Sequence, residues 1–265
     1  MLSEIDEKLR EMLSEKRVAV ALSGGVDSSL VTALSKIYAK DVVALTVDME
    51  KVPSGTIEDA REIAKHIGVE HRVLRAEIMH LDKFVENPPD RCYHCKKVMW
   101  SIIADHCKDM NIDLYLDGTN ADELKEHRPG IIANREFGVI SPLAELGLKK
   151  RDIRKLAREL GLPNHDKPSN ACLSSRVPYN TRISKELLER IDKSEAFLRN
   201  FLNLRQVRVR VHENLARIEV EKEEMHKFFD KEVLEMIHQK LEEFGFKYIC
   251  LDLRGYRSGS MDEVL

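Results

Sequence analysis

In the first part of the chain, short apolar runs alternate with stretches whose apolar residues return every three or four positions. Residues 18–22, 42–47 and 114–116 read as buried strands, and residues 28–38, 56–67 and 96–110 as helices. In the last of these helices Met99, Ile103, Cys107 and Met110 fall on one stripe. Strands that alternate with helices predict a parallel sheet covered on both faces, with ligands at the carboxyl ends of its strands. From about Asn170 the rhythm changes. A helix over 184–201, strands over 207–211 and 216–220 about a turn at Glu213-Asn214, two short helices and a strand over 248–253 make an αββααβ order. Pro163, Asn164, Asp166, Pro168 and Ser169 cluster between the two patterns. They predict an α/β domain over 1–168 and a smaller α+β domain over 169–265.

Composition narrows the class. The chain has 265 residues, 43% hydrophobic and 34% charged, enough for a core with a well-solvated surface. A net charge of −3 argues against nucleic acid as a partner. No apolar run approaches the ~18 residues of a membrane span. The opening MLSEIDEKLREML is a charged amphipathic helix rather than a signal peptide, so a cytoplasmic location is expected. In a reducing compartment the five cysteines are expected to be buried, catalytic or metal-bound rather than paired in disulfides.

The first strand runs into Ser23-Gly24-Gly25-Val26-Asp27-Ser28 and then a helix. The glycines let a polyanion approach the backbone, and the first helical N–H groups are unpaired at the positive end of the dipole. A pyrophosphate fits there, with Ser23 and Ser28 as added hydroxyl donors. Asp27 beside phosphate requires a cation between them and reads as a Mg²⁺ ligand. The string resembles the SGGxDS signature of the PP-loop ATP pyrophosphatases. The resemblance implies cleavage of ATP between the α and β phosphates and transfer of AMP to an acceptor. Asp117-Gly118-Thr119-Asn120, after a later strand, is similar to the second nucleotide-side loop of that family. Asp122 and Arg128, in ADELKEHRPG, are further candidates for the same crevice.

Cys92 and Cys95 form a CxxC at a helix start, and Cys172 lies in NACLSSRVPYN. Cys107, on its apolar stripe, and Cys250, within YICLDL, read as structural. The CxxC admits a redox pair, half a zinc site or part of a cluster site, and His94 is too close in sequence to be a comfortable ligand. Three thiolates would leave one position of an iron–sulfur cluster open. CLSSRVPY, VRVRVHENLARIEV and LDLRGYRSG resemble the LarE family of sulfur transferases, along nearly the whole chain. That resemblance implies adenylation of the carboxylates of a pyridinium mononucleotide and replacement of oxygen by sulfur, for a nickel-pincer cofactor. It implies ATP and Mg²⁺, a sulfide or other sulfur donor, and a homo-oligomer. Members with one cysteine, matching Cys172, give up its sulfur and leave dehydroalanine; members with a CxxC as well hold a 4Fe–4S cluster on three thiolates. Since this sequence has the CxxC, the resemblance implies that second mechanism, a cluster on Cys92, Cys95 and Cys172 whose open iron carries the sulfide for transfer. Asn180 stands where the motif has Gly, and Asn tolerates positive φ.

In residues 207–211 valines alternate with Arg208 and Arg210, which share a face with His212, and Arg217 lies on the partner strand. A solvated strand face is one reading; the resemblance implies substrate phosphate held by Arg208 and Arg210. Ser175 and Arg176 adjoin Cys172 and are expected at the sulfur-transfer centre. Glu195 reads either as a ligand or as part of a charged helix face. The competing functions are tRNA thiolation, an ammonia-using synthetase of the NAD or GMP type, and a non-catalytic ATP- or cluster-sensing protein.

Overall fold

The computed structural model describes residues 2–50, 52–125 and 128–263. In chain order the elements are α1 (Leu2–Leu13), β1 (Arg17–Ala21), α2 (Val26–Tyr38), β2 (Asp41–Asp48), α3 (Thr56–Ile67), β3 (Glu70–Arg75), α4 (Asp82–Val85), α5 (Arg91–Cys107), β4 (Leu114–Leu116), α6 (Gly130–Glu136), α7 (Pro142–Glu145), α8 (Lys150–Glu159), α9 (Lys185–Phe201), β5 (Val207–His212), β6 (Leu215–Val220), α10 (Lys231–Glu243) and β7 (Tyr248–Leu251). They separate into two compact units. The first holds Met1–Glu50, Gly55–Ile78 and Asp90–Asn170; the second holds Lys51–Ser54, Met79–Pro89 and Ala171–Leu265.

The first unit is an α/β layer structure around a parallel sheet in the order β3-β2-β1-β4. Strand residues of one parity feed one face. Val18 and Val20 pack with Leu9 and Leu13 of α1, Leu30 of α2 and Ile153 of α8. Residues of the other parity, Ala19, Val43 and Leu45, pack on Trp100, Ile103 and Cys107 of α5. Burial on both faces is why β1 and β2 read as continuous apolar runs. Cys107 is a core thiol as expected, and burial pushes its pKa up.

β3 has no counterpart in the apolar pattern. Its EHRVLR pairs with residues 43–48 of β2 at the sheet edge, where exposed strand positions accept charge. Pairing, not hydrophobicity, makes it a strand.

The second unit has a three-stranded sheet, β5-β6-β7. β5 and β6 form an antiparallel hairpin whose turn residue Glu213 sits at φ 55, and β7 joins β6 in parallel. β7 ends sooner than the 248–253 expectation. Asp252 accepts from its own downstream backbone, Arg254 N at 2.8 Å, and Gly255 N donates to the Asp252 carbonyl at 3.0 Å, so the chain turns away. Cys250 is exposed on this edge strand, which corrects the reading of it as a structural thiol. Two short pieces of the first half belong here by hydrogen bonding. Ser54 N donates to Asp192 at 3.0 Å, the Asn87 amide to Pro178 O at 2.7 Å, and Ile183 N to Val85 O at 2.7 Å. Asn180 sits at φ 62, the left-handed turn expected of it.

β4 leads at once into a tight approach. A Cβ on Gly118 would lie 2.6 Å from Ser28 N and 2.9 Å from Ser28 Cα, on the first turn of α2. Backbone cannot yield as a side-chain tip can, so Gly118→Ala should destabilise the protein by about 2 kcal/mol. Urea denaturation of the two proteins checks this.

Candidate active site

The loop after β1 is shaped by its own hydroxyls. Ser28 Oγ donates to Gly25 O at 3.1 Å and accepts from Ser23 N at 3.2 Å; Ser23 Oγ lies 3.1 Å from it. Ser29 Oγ donates to Gly25 O at 2.8 Å. Gly25 is the N-cap of α2 and has no side chain to close the turn, so the first N–H groups of α2 point out of the loop. Gly24, at φ +72, lies so near Ala60 N and Asp59 Cβ that a Cβ would be 3.0 Å from each. The Asn164 amide donates to Gly24 O at 3.0 Å and to Ser29 Oγ at 2.9 Å, pinning the loop from behind.

The second loop is organised by a buried carboxylate. Asp117 accepts from Thr119 N at 3.1 Å, Thr119 Oγ1 at 2.6 Å, Ser141 Oγ at 2.6 Å, the Asn134 amide at 2.6 Å and Lys96 Nζ at 3.2 Å. Burial would raise its pKa, but the Lys96 charge and the hydrogen bonds from Ser141 and Thr119 outweigh it and hold the carboxyl below its ordinary value. Beside this knot, Asn120 Nδ2 lies 3.4 Å from Asp27 and 3.1 Å from Glu123, and Lys150 Nζ bonds to Asp27. Asp122 accepts from Lys150 N at 3.0 Å and so orients the lysine's backbone. Burial raises Glu123 above its ordinary pKa; Arg128, 3.7 Å away, opposes this, and the Asp27 and Asp117 charges add to it.

In the second unit the counterpart is Glu195. It is 1% exposed and accepts from Arg176 Nε at 2.8 Å, Arg176 Nη2 at 2.9 Å and Val209 N at 3.0 Å. The spare nitrogen of Arg176, Nη1, donates to Ala171 O at 2.7 Å, Cys172 O at 2.9 Å and Ser175 Oγ at 3.1 Å. Arg176 therefore holds the loop that carries the half-buried Cys172. Arg210 bonds to Glu219 through Nε at 3.0 Å and donates through Nη1 to Ser175 O at 3.0 Å. Arg208 lies over the Tyr256 ring at 5.5 Å. Burial and the neighbouring Arg176 charge pull Arg208 down to about 10, with Glu195 opposing. Residues 207–211 are buried on both faces, so Arg208 and Arg210 are not a solvated strand face.

A family model described as asparagine synthase matches residues 6–126. The chain is 39% identical to an uncharacterized Synechocystis protein over 100% of this chain and 99% of that one. It is 34% identical to an uncharacterized protein of Methanocaldococcus jannaschii, over 97% of each. It is 33% identical, over 94% of this chain and 90% of the relative, to the pyridinium-3,5-bisthiocarboxylic acid mononucleotide synthase of Lactiplantibacillus plantarum. The chain belongs to the LarE family of PP-loop proteins.

The three candidate thiols fall in both units. Cys92 and Cys95 are one turn apart at the start of α5, the first exposed, the second buried with its sulfur 3.9 Å from Met49 Sδ. Cys172 belongs to the second unit. Among the described residues no group of three or more His, Cys, Asp or Glu side chains gathers as a metal ion requires. Nor is any helix among them long and apolar enough to cross a membrane. Sequence reasoning missed Lys96, Glu123, Asn134, Ser141, Lys150 and Asn164. Their only signal was position: Lys96 follows the CxxC directly, and Lys150 opens α8 beside the second loop.

The Arg176–Glu195 pair is a testable support. Arg176→Met leaves a buried carboxylate unpaired and should cost about 3–5 kcal/mol. Burial raises the Glu195 pKa, but the charge and hydrogen bonds of Arg176, with the Arg208 charge and the Val209 N–H, outweigh it and hold it below the ordinary 4.5. Its contribution is therefore complete above that pH and is lost as pH falls through the lowered value. Glu195→Gln should lose stability less steeply than wild type on acidification, read as urea midpoint against pH.

Proposed function

We propose that the protein uses ATP to activate a carboxylate of a pyridinium mononucleotide and then exchanges an oxygen of that carboxylate for sulfur. The observation that carries this reading is the match, over nearly the whole chain, to a synthase named for a bisthiocarboxylic acid mononucleotide. The two loops of the first unit support it chemically. The outward N–H groups of α2 suit the β and γ phosphates of ATP, which leave as pyrophosphate. Asp27 and Glu123, both against the Asn120 amide, form a carboxylate pair suited to Mg²⁺, and Lys150 provides the positive charge for Asp27. Mg²⁺ would neutralise charge on the departing phosphates.

In the first step an acceptor carboxylate oxygen attacks the α-phosphorus, and the bond to the β-phosphate oxygen breaks. Pyrophosphate leaves and an acyl-adenylate forms. Arg208 and Arg210 are the proposed holders of the acceptor's phosphate. A dianion there would offset the burial and the neighbouring guanidinium charge that together pull Arg208 down to about 10. In the second step the Cys172 thiol gives up its proton, its sulfur attacks the acyl carbon, and AMP leaves. Loss of the Cys172 α-proton with cleavage of the Cβ–S bond then frees the thiocarboxylate and leaves dehydroalanine. Arg176, bound to the Ala171 and Cys172 carbonyls, serves as a positioning residue, and Ser175 presents its carbonyl to Arg210.

Cys172→Ala should keep acceptor-dependent pyrophosphate release and lose thiocarboxylate product, measured by a coupled pyrophosphate assay and mass spectrometry. Pyrophosphate release with tRNA and not with a mononucleotide would overturn the reading in favour of tRNA thiolation, and amide formation with ammonia in favour of a synthetase. Wild-type protein after turnover should show loss of one H₂S at Cys172 in peptide maps. Iron and acid-labile sulfide in anaerobically purified protein, lost in Cys92→Ala, Cys95→Ala and Cys172→Ala alike, would instead place the sulfur on a cluster.

A further inference from the structure

The segment after β7 is hydrogen-bonded into the arginine cluster residue by residue. It leaves the sheet at Asp252, which accepts from Arg217 Nη1 at 2.7 Å. Gly255, at φ +73, passes so close to β6 that a Cβ would stand 2.9 Å from Val220 O, and Tyr256 N donates to that carbonyl at 2.8 Å. The Tyr256 ring then lies under Arg208. Ser260, 5% exposed, donates through Oγ to Glu219 Oε1 at 2.7 Å. Asp262 accepts from the Tyr179 hydroxyl at 2.7 Å, in the segment that carries Cys172.

Glu219 links this segment to the cysteine loop. It is fully buried, and its two oxygens face different ways. Oε1 takes Ser260 and lies 3.3 Å from Arg217 Nη2; Oε2 takes Arg210 Nε at 3.0 Å and Nη2 at 2.9 Å. Arg210 in turn reaches Ser175 O at 3.0 Å, three residues from Cys172. We infer that Ser260 is a positioning residue for the reactive cysteine, acting through Glu219, Arg210 and the Ser175 carbonyl.

A buried carboxylate bonded on one oxygen by an arginine fork can still turn about its last torsion, which is broad. On the other oxygen the Ser260 hydroxyl at 2.7 Å is the shorter contact and Arg217 Nη2 at 3.3 Å the longer, so the hydroxyl tightens the carboxylate's orientation and with it the arginine and the carbonyl it grips. Loss of the hydroxyl should loosen the 172–176 turn without unfolding the unit. The inference rests on the proposed function only in taking Cys172 as the reacting thiol.

The test compares wild type, Ser260→Ala and Ser260→Thr in the full chain. Native protein is alkylated with iodoacetamide, and the rates at Cys172 and at the exposed Cys92 are read by peptide mass spectrometry. Ser260→Ala should speed alkylation of Cys172 roughly fivefold, the ratio expected from one lost hydrogen bond. Ser260→Thr should restore the wild-type rate, and Cys92 should not change. Equal Cys172 rates in Ser260→Ala and wild type would overturn the inference. So would faster alkylation of both cysteines, or failure of threonine to restore, since either marks general loosening. Pyrophosphate release with pyridinium-3,5-dicarboxylic acid mononucleotide, measured on the same samples, judges the proposed function separately. Its absence in wild type would reject that function whatever the alkylation rates show.

Discussion

Glu195 is taken wholly out of water, and the arrangement around it answers the cost of doing so. A carboxylate without partners would be driven to its neutral form. Here a fork of two Arg176 nitrogens and the Val209 N–H meets it, and the pKa falls instead of rising. The pair joins α9, the first residues of β5 and the turn that carries Cys172. Because Arg176 spends two of its nitrogens on Glu195, the third is aimed at the Ala171 and Cys172 carbonyls. The cysteine loop is thus set by a charge it does not contain.

The first unit solves a similar problem around Asp117. Five donors converge on that carboxylate from α5, α6, the second loop and the start of α7. Asn134 extends the knot, since its carbonyl oxygen accepts from Trp100 Nε1 at 2.9 Å and from Lys96 Nζ at 3.2 Å. The second loop is therefore anchored to a core tryptophan, and Gly118 is pressed against the first turn of α2. Catalysis by positioned charge needs such rigidity, because donors that must reorganise during the reaction lose much of their effect.

Some of this was legible along the chain. The runs of β1 and β2 and the glycines between β1 and α2 announce a parallel sheet with a phosphate-sized loop, since those residues act through local backbone geometry and simple burial. The stripe on α5 located Cys107 in the core for the same reason. β3 was not legible, because an edge strand made of Glu, His and Arg owes its existence to pairing with β2. Cys250 was misread because alternation within a strand says which residues share a face, not whether that face is covered.

The sequence by itself determined a glycine loop between a strand and a helix that resembles the PP-loop, and an arginine-bearing hairpin downstream of a CLSSR turn. Those signals are short and local, and they follow from spacing. Only the tertiary structure decided what each charge does. Arg176, Arg208 and Arg210 are indistinguishable as cations in the sequence, yet one grips a buried glutamate, one lies over a tyrosine and one bridges a glutamate to a carbonyl. The reason is dielectric: away from water, a charge takes its role from the partners that long-range folding brings to it, and no spacing along the chain records them.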